Sequence, residues 1–237
     1  MVSDRTVVKL SPVQHQAAPL RNKIIAALRS AIETGVLAPG TRLIEKDLCD
    51  QLHVSRTSLR EALRELQGEG IFEPMSARGL TISTISREEA ENAYRIRSVL
   101  EALVVEQFIE KADDAALRDL ARRGESLKQA YRSGDLQTII ETKRAFYDRI
   151  CTGADNAIAF DILNRLVLRT SSLRRHSLSR KERQLQSIQE IEWLIAAILA
   201  RDAKAAREAA IDHVMNSARS ALDVVEHSEL VRTAKSG

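Results

Sequence analysis

Aromatic side chains make up only 3% of this 237-residue chain, which also holds just 9 glycines and 4 prolines. An all-β protein needs many short, aromatic-rich strands joined by tight turns, so this scarcity favours helices. Cysteine is sparse too: Cys49 and Cys151 stand far apart, with no CxxC pair and no histidine at ligand spacing beside them. That excludes a disulfide scaffold and a zinc finger and fits a reducing compartment. No apolar run approaches the ~20 residues that span a bilayer. The N-terminus, MVSDRTVVKLSPVQHQ, has neither a continuous hydrophobic segment nor a small-residue cleavage site, so a cytoplasmic location with no membrane partner is expected. A large charge of one sign is also missing. The 36 Lys and Arg against 33 Asp and Glu leave +3, which permits a polyanionic partner without implying one. Nor is there a GxSxG, Walker or Rossmann pattern, so an enzyme is not expected.

What is present is a globular composition, 44% hydrophobic and 29% charged, arranged in two grammars. Residues 1–14 read as a flexible arm. Leu20, Ile24, Ile25, Leu28 and Ile32 then recur at helical spacing, with Gly35 as a stop. LAPGTRLI carries a Pro-Gly turn, EKDLCDQL reads as a short helix, and His53-Val54 as a tight connection. Ser55 is placed to cap the next helix. After it, IFEPM and LTIS flank the polar turn SARG as a small hairpin. Three helices and a hairpin make a winged helix-turn-helix over 15–83. From Ser86 no strand signal follows. SREE is a capping box, and helices are expected at about 87–110, 114–132, 135–152, 156–176, 182–201 and 203–226. The expected fold is therefore mainly α: the winged domain, an all-helical domain of six or seven helices over 84–228, and a polar tail over 229–237.

The stretch HVSRTSLREALR places Arg56, Arg60 and Arg64 four apart. Leu59, Ala62, Leu63 and Leu66 form the inward face, and the outward face is basic near the helix N-terminus. Such an end suits phosphates and guanine edges in a major groove. The bland alternative pairs Arg60 and Arg64 with Glu61 and Glu65 on a solvated helix. The preceding helix pair and the following wing favour the groove. A winged helix serving as a protein-interaction module remains the rival reading, since fold alone does not decide function.

The run PGTRLIEKDLCDQLHVSRTSLREALRELQGEGIFEPMSARGLTIS resembles the N-terminal domain of GntR-family transcriptional regulators. Ser58 departs from a proline common there. The resemblance implies that Arg56 and Arg60 contact bases or adjacent phosphates, that Ser55 and Thr57 hold phosphate oxygens, that Lys46 reaches the backbone, and that Arg78 and Gly79 bring the wing tip near the minor groove. It further implies a homodimer on an inverted-repeat operator in double-stranded DNA, acting as a repressor or, with the same machinery, an activator.

The helical half resembles the FCD-type ligand-binding domain of the FadR subfamily, through YRIRSVLEALVVEQ, RAFYDRICTGADN and IAAILARDAKAAREAAIDHV. Many members of that subfamily hold a divalent metal through an Asp-x-x-x-His pair and two later histidines. The matching positions here are Lys143, Tyr147, Ile191 and His213. One imidazole is too few for a zinc-like ion and an ammonium repels it, so the expectation is no metal and no other cofactor. Lys143 instead interrupts the apolar stripe of Leu136, Ile139, Ile140, Phe146, Tyr147 and Ile150. It must snorkel, pair or meet an anionic guest. Likewise Arg97, one turn before Glu101, interrupts Ala93, Ile96, Leu100 and Val104; an internal ion pair is the plain alternative. The expected effector is a small anionic metabolite, a carboxylate for preference, held by Lys143 and Arg97 with Tyr147 and His213 donating hydrogen bonds. His176 and Trp193 are read as a helix-end cation and an interface packing residue.

Overall fold

The computed structural model describes residues 18–75 and 79–234, with side chains described to Asp223. The expected arm over 1–14 and Arg78, expected near the wing tip, lie outside the described residues. Helix α1 (Ala18–Glu33) is followed by β1 (Arg42–Leu43), α2 (Glu45–Leu52), α3 (Arg56–Gly68), β2 (Phe72–Pro74) and β3 (Leu80–Ile82). The three strands form an antiparallel sheet in the order β1-β3-β2. Expected as part of a turn, Arg42 and Leu43 are instead recruited as a third strand, Arg42 opposite Thr81 and Leu43 opposite Leu80. Leu43 is buried there, and that contact repays the ordering of so short a strand.

Each local signal has a structural counterpart. Ser55 Oγ accepts the Ser58 N–H at 3.2 Å and so caps α3. His53 takes a left-handed conformation (φ 52°) to close α2. Leu59, Ala62, Leu63 and Leu66 are buried together against Ile24, Ile25, Leu28 and Ile32 of α1. Leu20 lies outside that stripe and is 46% exposed.

The second half is helical throughout its described residues: α4 (Arg87–Lys111), α5 (Asp114–Ser133), α6 (Leu136–Ala154), α7 (Ala157–Arg169), α8 (Ser171–Leu178), α9 (Lys181–Leu199) and α10 (Ala203–Ala234). Ser86 and Glu89 complete the capping box at 3.2 and 3.0 Å. Helix α4 runs through the middle, packed against α6, α7 and α10. Ala206, Ala210, Val214, Ala218 and Ala221 are all buried, and Val214, Ala218 and Ala221 pack with Ala90 and Tyr94 of α4. Small side chains at that spacing let α10 lie close along α4.

Two boundaries differ from expectation. The single helix expected over 156–176 is broken at Thr170, whose Oγ1 donates to the Leu166 carbonyl at 2.8 Å. Such back-bonding bends helices, and here it separates α7 from α8. Helix α10 continues to Ala234, past the start of the expected tail. Among the described residues, no helix is long and apolar enough to cross a membrane.

Candidate DNA interface and effector cavity

Arg56, Thr57 and Arg60 are exposed on the first turns of α3, and Lys46 is exposed on the first turn of α2. Ser55 sits at the same end, its hydroxyl 3.0 Å from Ser58 Oγ. Arg60 pairs with neither Glu61 nor Glu65. Its Nε donates to both Glu45 carboxylate oxygens, at 3.1 and 3.0 Å. Both partners are solvent-exposed, so the pair contributes little stability; it holds Arg60 across the corner between α2 and α3. Glu65 faces Arg21 of α1 at 3.3 Å. Arg42, Arg60, Arg64 and Gly79 line one cleft between α3 and the sheet. Arg42 is a cation of this face that the sequence reading missed, because only the β1–β3 register brings it beside the wing.

In the helical half, Lys143 (4% exposed) and His213 (1%) are buried, with Lys143 Nζ 2.9 Å from His213 Nε2. The other ring nitrogen, Nδ1, is 2.7 Å from Glu190 Oε2. Glu190 is in turn gripped by two nitrogens of Arg183 at 2.9 and 2.6 Å. A carboxylate accepts only, so Nδ1 carries the proton and Nε2 accepts from Lys143. Burial, and then Lys143, push His213 down to about 3. Burial opposes the charge on Glu190, but its bonds to His213 and Arg183 win and hold it at about 2. Lys143 itself is pushed well below the usual amine range by burial and then by Arg174 and Arg183.

Lys143 lines a cavity of about 60 Å³ together with Arg97, Tyr147, Arg174 and Glu33. Arg97 donates from Nε and Nη2 to Glu101 Oε1 at 3.1 and 2.7 Å. That is the internal pair anticipated as the plain alternative, yet Arg97 Nη1 is buried without a partner. Tyr147 Oη is likewise buried and unpartnered, and its ring stacks on His213 with centroids 6.2 Å apart. On α4, Ala93 and Val104 are buried as expected, with Arg97 and Glu101 interrupting that stripe and facing inward, whereas Ile96 departs from it at 50% exposure. Trp193 is 66% exposed rather than packed at a helix interface, and His176 is exposed at the end of α8.

The four positions that match the subfamily's metal ligands hold side chains that do not fit one. Lys143 occupies the free nitrogen of His213, and Ile191 is fully buried in the apolar core. Among the described residues, no group of three or more His, Cys, Asp or Glu could hold an ion.

The family description "FCD domain" matches residues 92–216, more than half of the chain, and "Bacterial regulatory proteins, gntR family" matches residues 20–82. The chain belongs to the GntR family, with an FCD domain. Its sequence is 31% identical to the HTH-type transcriptional regulator McbR of Escherichia coli K12 over 60% of this chain and 64% of that protein. It is also 31% identical to the uncharacterized HTH-type transcriptional regulator YdhC of Bacillus subtilis 168, over 54% of this chain and 58% of that one. These matches thus span less than two-thirds of either relative. The HTH-type transcriptional repressor RspR of E. coli K12 is 24% identical over 90% of this chain and 91% of its own. The solved structure of E. coli McbR/YncC superposes with a TM-score of 0.79 at 25% identity, covering 87% of this chain and 98% of that one.

For this GntR-family chain, Lys143, Tyr147 and His213 were within reach of sequence reasoning because they stand on one stripe or at positions the resemblance marks. Glu33, Arg174, Arg183 and Glu190 were not. Arg174 lies in LRRHSL, where the expected continuous helix gave no reason to turn it into the bundle. One signal was legible in Glu33: an acid in the last turn of a helix opposes the macrodipole and so calls for a cationic partner.

Proposed function

We propose that this chain is a ligand-responsive, DNA-binding transcriptional regulator, a repressor released from an inverted-repeat operator by a small carboxylate. The observation that carries the effector half is a cluster of cationic donors at one cavity: buried Lys143, the unpartnered Nη1 of buried Arg97, and half-buried Arg174, whose charge desolvation disfavours first and Arg97 next. Arg97 is paired with Glu101, but a cationic donor left unsatisfied in a low-dielectric site is costly until an acceptor arrives. An anion is the guest that relieves it, and Tyr147 Oη is a free donor for it. The ammonium of Lys143 takes the place of the family's metal charge. In the winged half, Arg56 and Arg60 read bases, Ser55 and Thr57 hold phosphates, and Lys46 and the wing around Arg78 and Gly79 add backbone affinity. Two-fold symmetry of a homodimer formed through the helical half requires the inverted repeat; Ile96 (50% exposed) and Val99 (58%) offer apolar surface on α4 for a second copy. The repressor reading is supported by the relative RspR, which is named a repressor.

The test of the reading head is binding of the purified chain to DNA upstream of its own coding region, and to sites selected from randomised DNA, across a salt series. Tight, salt-sensitive binding that Arg56→Ala/Arg60→Ala loses supports the reading. Failure to enrich any sequence, with wild type and variant alike, moves the winged domain to the protein-interaction class.

A further inference from the structure

Glu33 is the last residue of α1 and so part of the winged half, yet it lines the cavity of the helical half with Lys143 and Arg174. It is buried to 9% exposure and accepts a hydrogen bond from Arg144 Nη1. Arg144 Nε also faces Asp148 at 3.5 Å, so one guanidinium serves two carboxylates. Burial lifts Asp148 above the usual carboxylate range, Arg144 opposes the lift, and Glu33 adds to it. Glu33 and Arg144 line both the cavity and the open groove between α1 and α6; the pair is part of the wall between them.

The chain leaves Glu33 through Gly35, whose φ of +78° suits glycine, and a Cβ on Gly35 would lie 2.5 Å from the guanidinium carbon of Arg175. Its neighbour Arg174 lines the cavity. Consecutive residues of α8 therefore touch the cavity and the turn at the base of the winged half.

We propose that Glu33 is a resident anion that the DNA-reading half lends to the effector cavity, and that an anionic effector competes with it for the cavity cations beside it, Arg144 first and Arg174 next, and so releases the head. The proposal rests on the anion-site reading above. A cavity of about 60 Å³ is small beside the roughly 300–1,000 Å³ of ordinary ligand pockets, so a metabolite must enlarge it, and the Glu33–Arg144 wall opens onto the groove. A ligand shifts a conformational equilibrium only by its differential affinity for the two states. Competition with Glu33 supplies that difference, and linkage makes it reciprocal.

The experiment uses the full chain with malonate and inorganic phosphate as probes. Calorimetry gives the affinities of wild type, Glu33→Gln and Lys143→Met. Hydrogen exchange follows the Thr34, Gly35 and Leu37 amides, which bond the Ser30, Ile32 and Ala31 carbonyls at 2.9, 3.1 and 2.9 Å. The expected result is that malonate binds wild type and speeds exchange at these amides, and binds Glu33→Gln about fivefold or more tightly. In Glu33→Gln, and in Arg144→Gln, the same amides exchange fast before any anion is added. Equal affinity in wild type and Glu33→Gln, with exchange in wild type unmoved by malonate, overturns the competition and leaves the anion site standing. No binding of either anion to wild type, or undiminished binding to Lys143→Met, removes the site and the proposal with it.

Discussion

Lys143 is held at 4% exposure with an imidazole, not a carboxylate, as its hydrogen-bond partner. A structural lysine would be paired with an acid or would reach solvent; one kept in this state destabilises the fold at neutral pH. Its depressed proton affinity means the unfolded chain binds more protons below the normal amine range, so stability at pH 7 is lower than it would be without the amine. Lys143→Met should therefore raise the unfolding free energy at pH 7, by about 1 kcal/mol or more, measured by urea denaturation. A loss of stability would show that the amine is structural.

His213 gives a signed pH dependence. Its value falls from 6.5 to about 3 on folding, so between those limits the unfolded chain takes up a proton that the folded chain refuses. The contribution of His213 to stability is full above about pH 6.5 and declines as pH falls toward 3. Glu190 adds loss in the same direction only below 4.5, its unfolded value. Denaturation midpoints of His213→Gln should be flatter than wild type between pH 6.5 and 4.5. Equal slopes would mean that His213 is not held neutral. On the DNA face, Arg56→Ala should cost ~1–3 kcal/mol and relax base preference, whereas Lys46→Ala should weaken all sequences alike and lower the salt slope by about one ion. Affinities for several sequences across a salt series separate the two.

At the scale of elements, α4, α5 and α6 were legible because each carries its own period and punctuation: Ser86, Asp113 and Asp135 cap the starts, and Gly134 takes the left-handed end of α5. What was not legible depends on partners distant in sequence. β1 exists only as a partner of β3, and the α7–α8 break depends on a threonine back-bond that a periodic pattern hides. The exposure of Ile96 is of the same kind, since its side chain fits the stripe of α4 but packing of that helix against α6 and α10 leaves it outside. One close approach is testable directly. A Cβ on Gly153 of α6 would lie 2.4 Å from Cδ2 of Phe108, a fully buried ring on α4. Gly153→Ala should therefore lower stability by about 1–3 kcal/mol, despite the ~0.5–1 kcal/mol that alanine normally gains inside a helix. A thermal midpoint above wild type would contradict so tight an α4–α6 contact.

At the scale of the whole molecule, the winged and helical halves meet through particular side chains. Leu168 of α7 is buried in the winged core, Glu33 reaches the helical cavity, and Arg29 grips Glu69 at 2.6 Å to fix α1 against the end of α3. A change at the cavity thus has a short, packed route to the recognition helix. A symmetric dimer should protect two half-sites about one helical turn, ~34–36 Å, or a multiple of it apart; footprinting that shows a single half-site would exclude that arrangement. The two-part organisation was readable from the change of grammar at Ser86, whereas the contacts between the halves were not, since Glu33, Arg144 and Arg174 come together only in three dimensions.

The most direct test of the coupling between reader and cavity is operator affinity, on a site selected from randomised DNA, measured for wild type and Lys143→Met against a panel of small mono- and dicarboxylates. The account predicts equal affinities without acid, and at least one acid that weakens wild-type binding by about fivefold or more while leaving Lys143→Met unmoved. A Lys143→Met variant that responds to that acid as fully as wild type would contradict it.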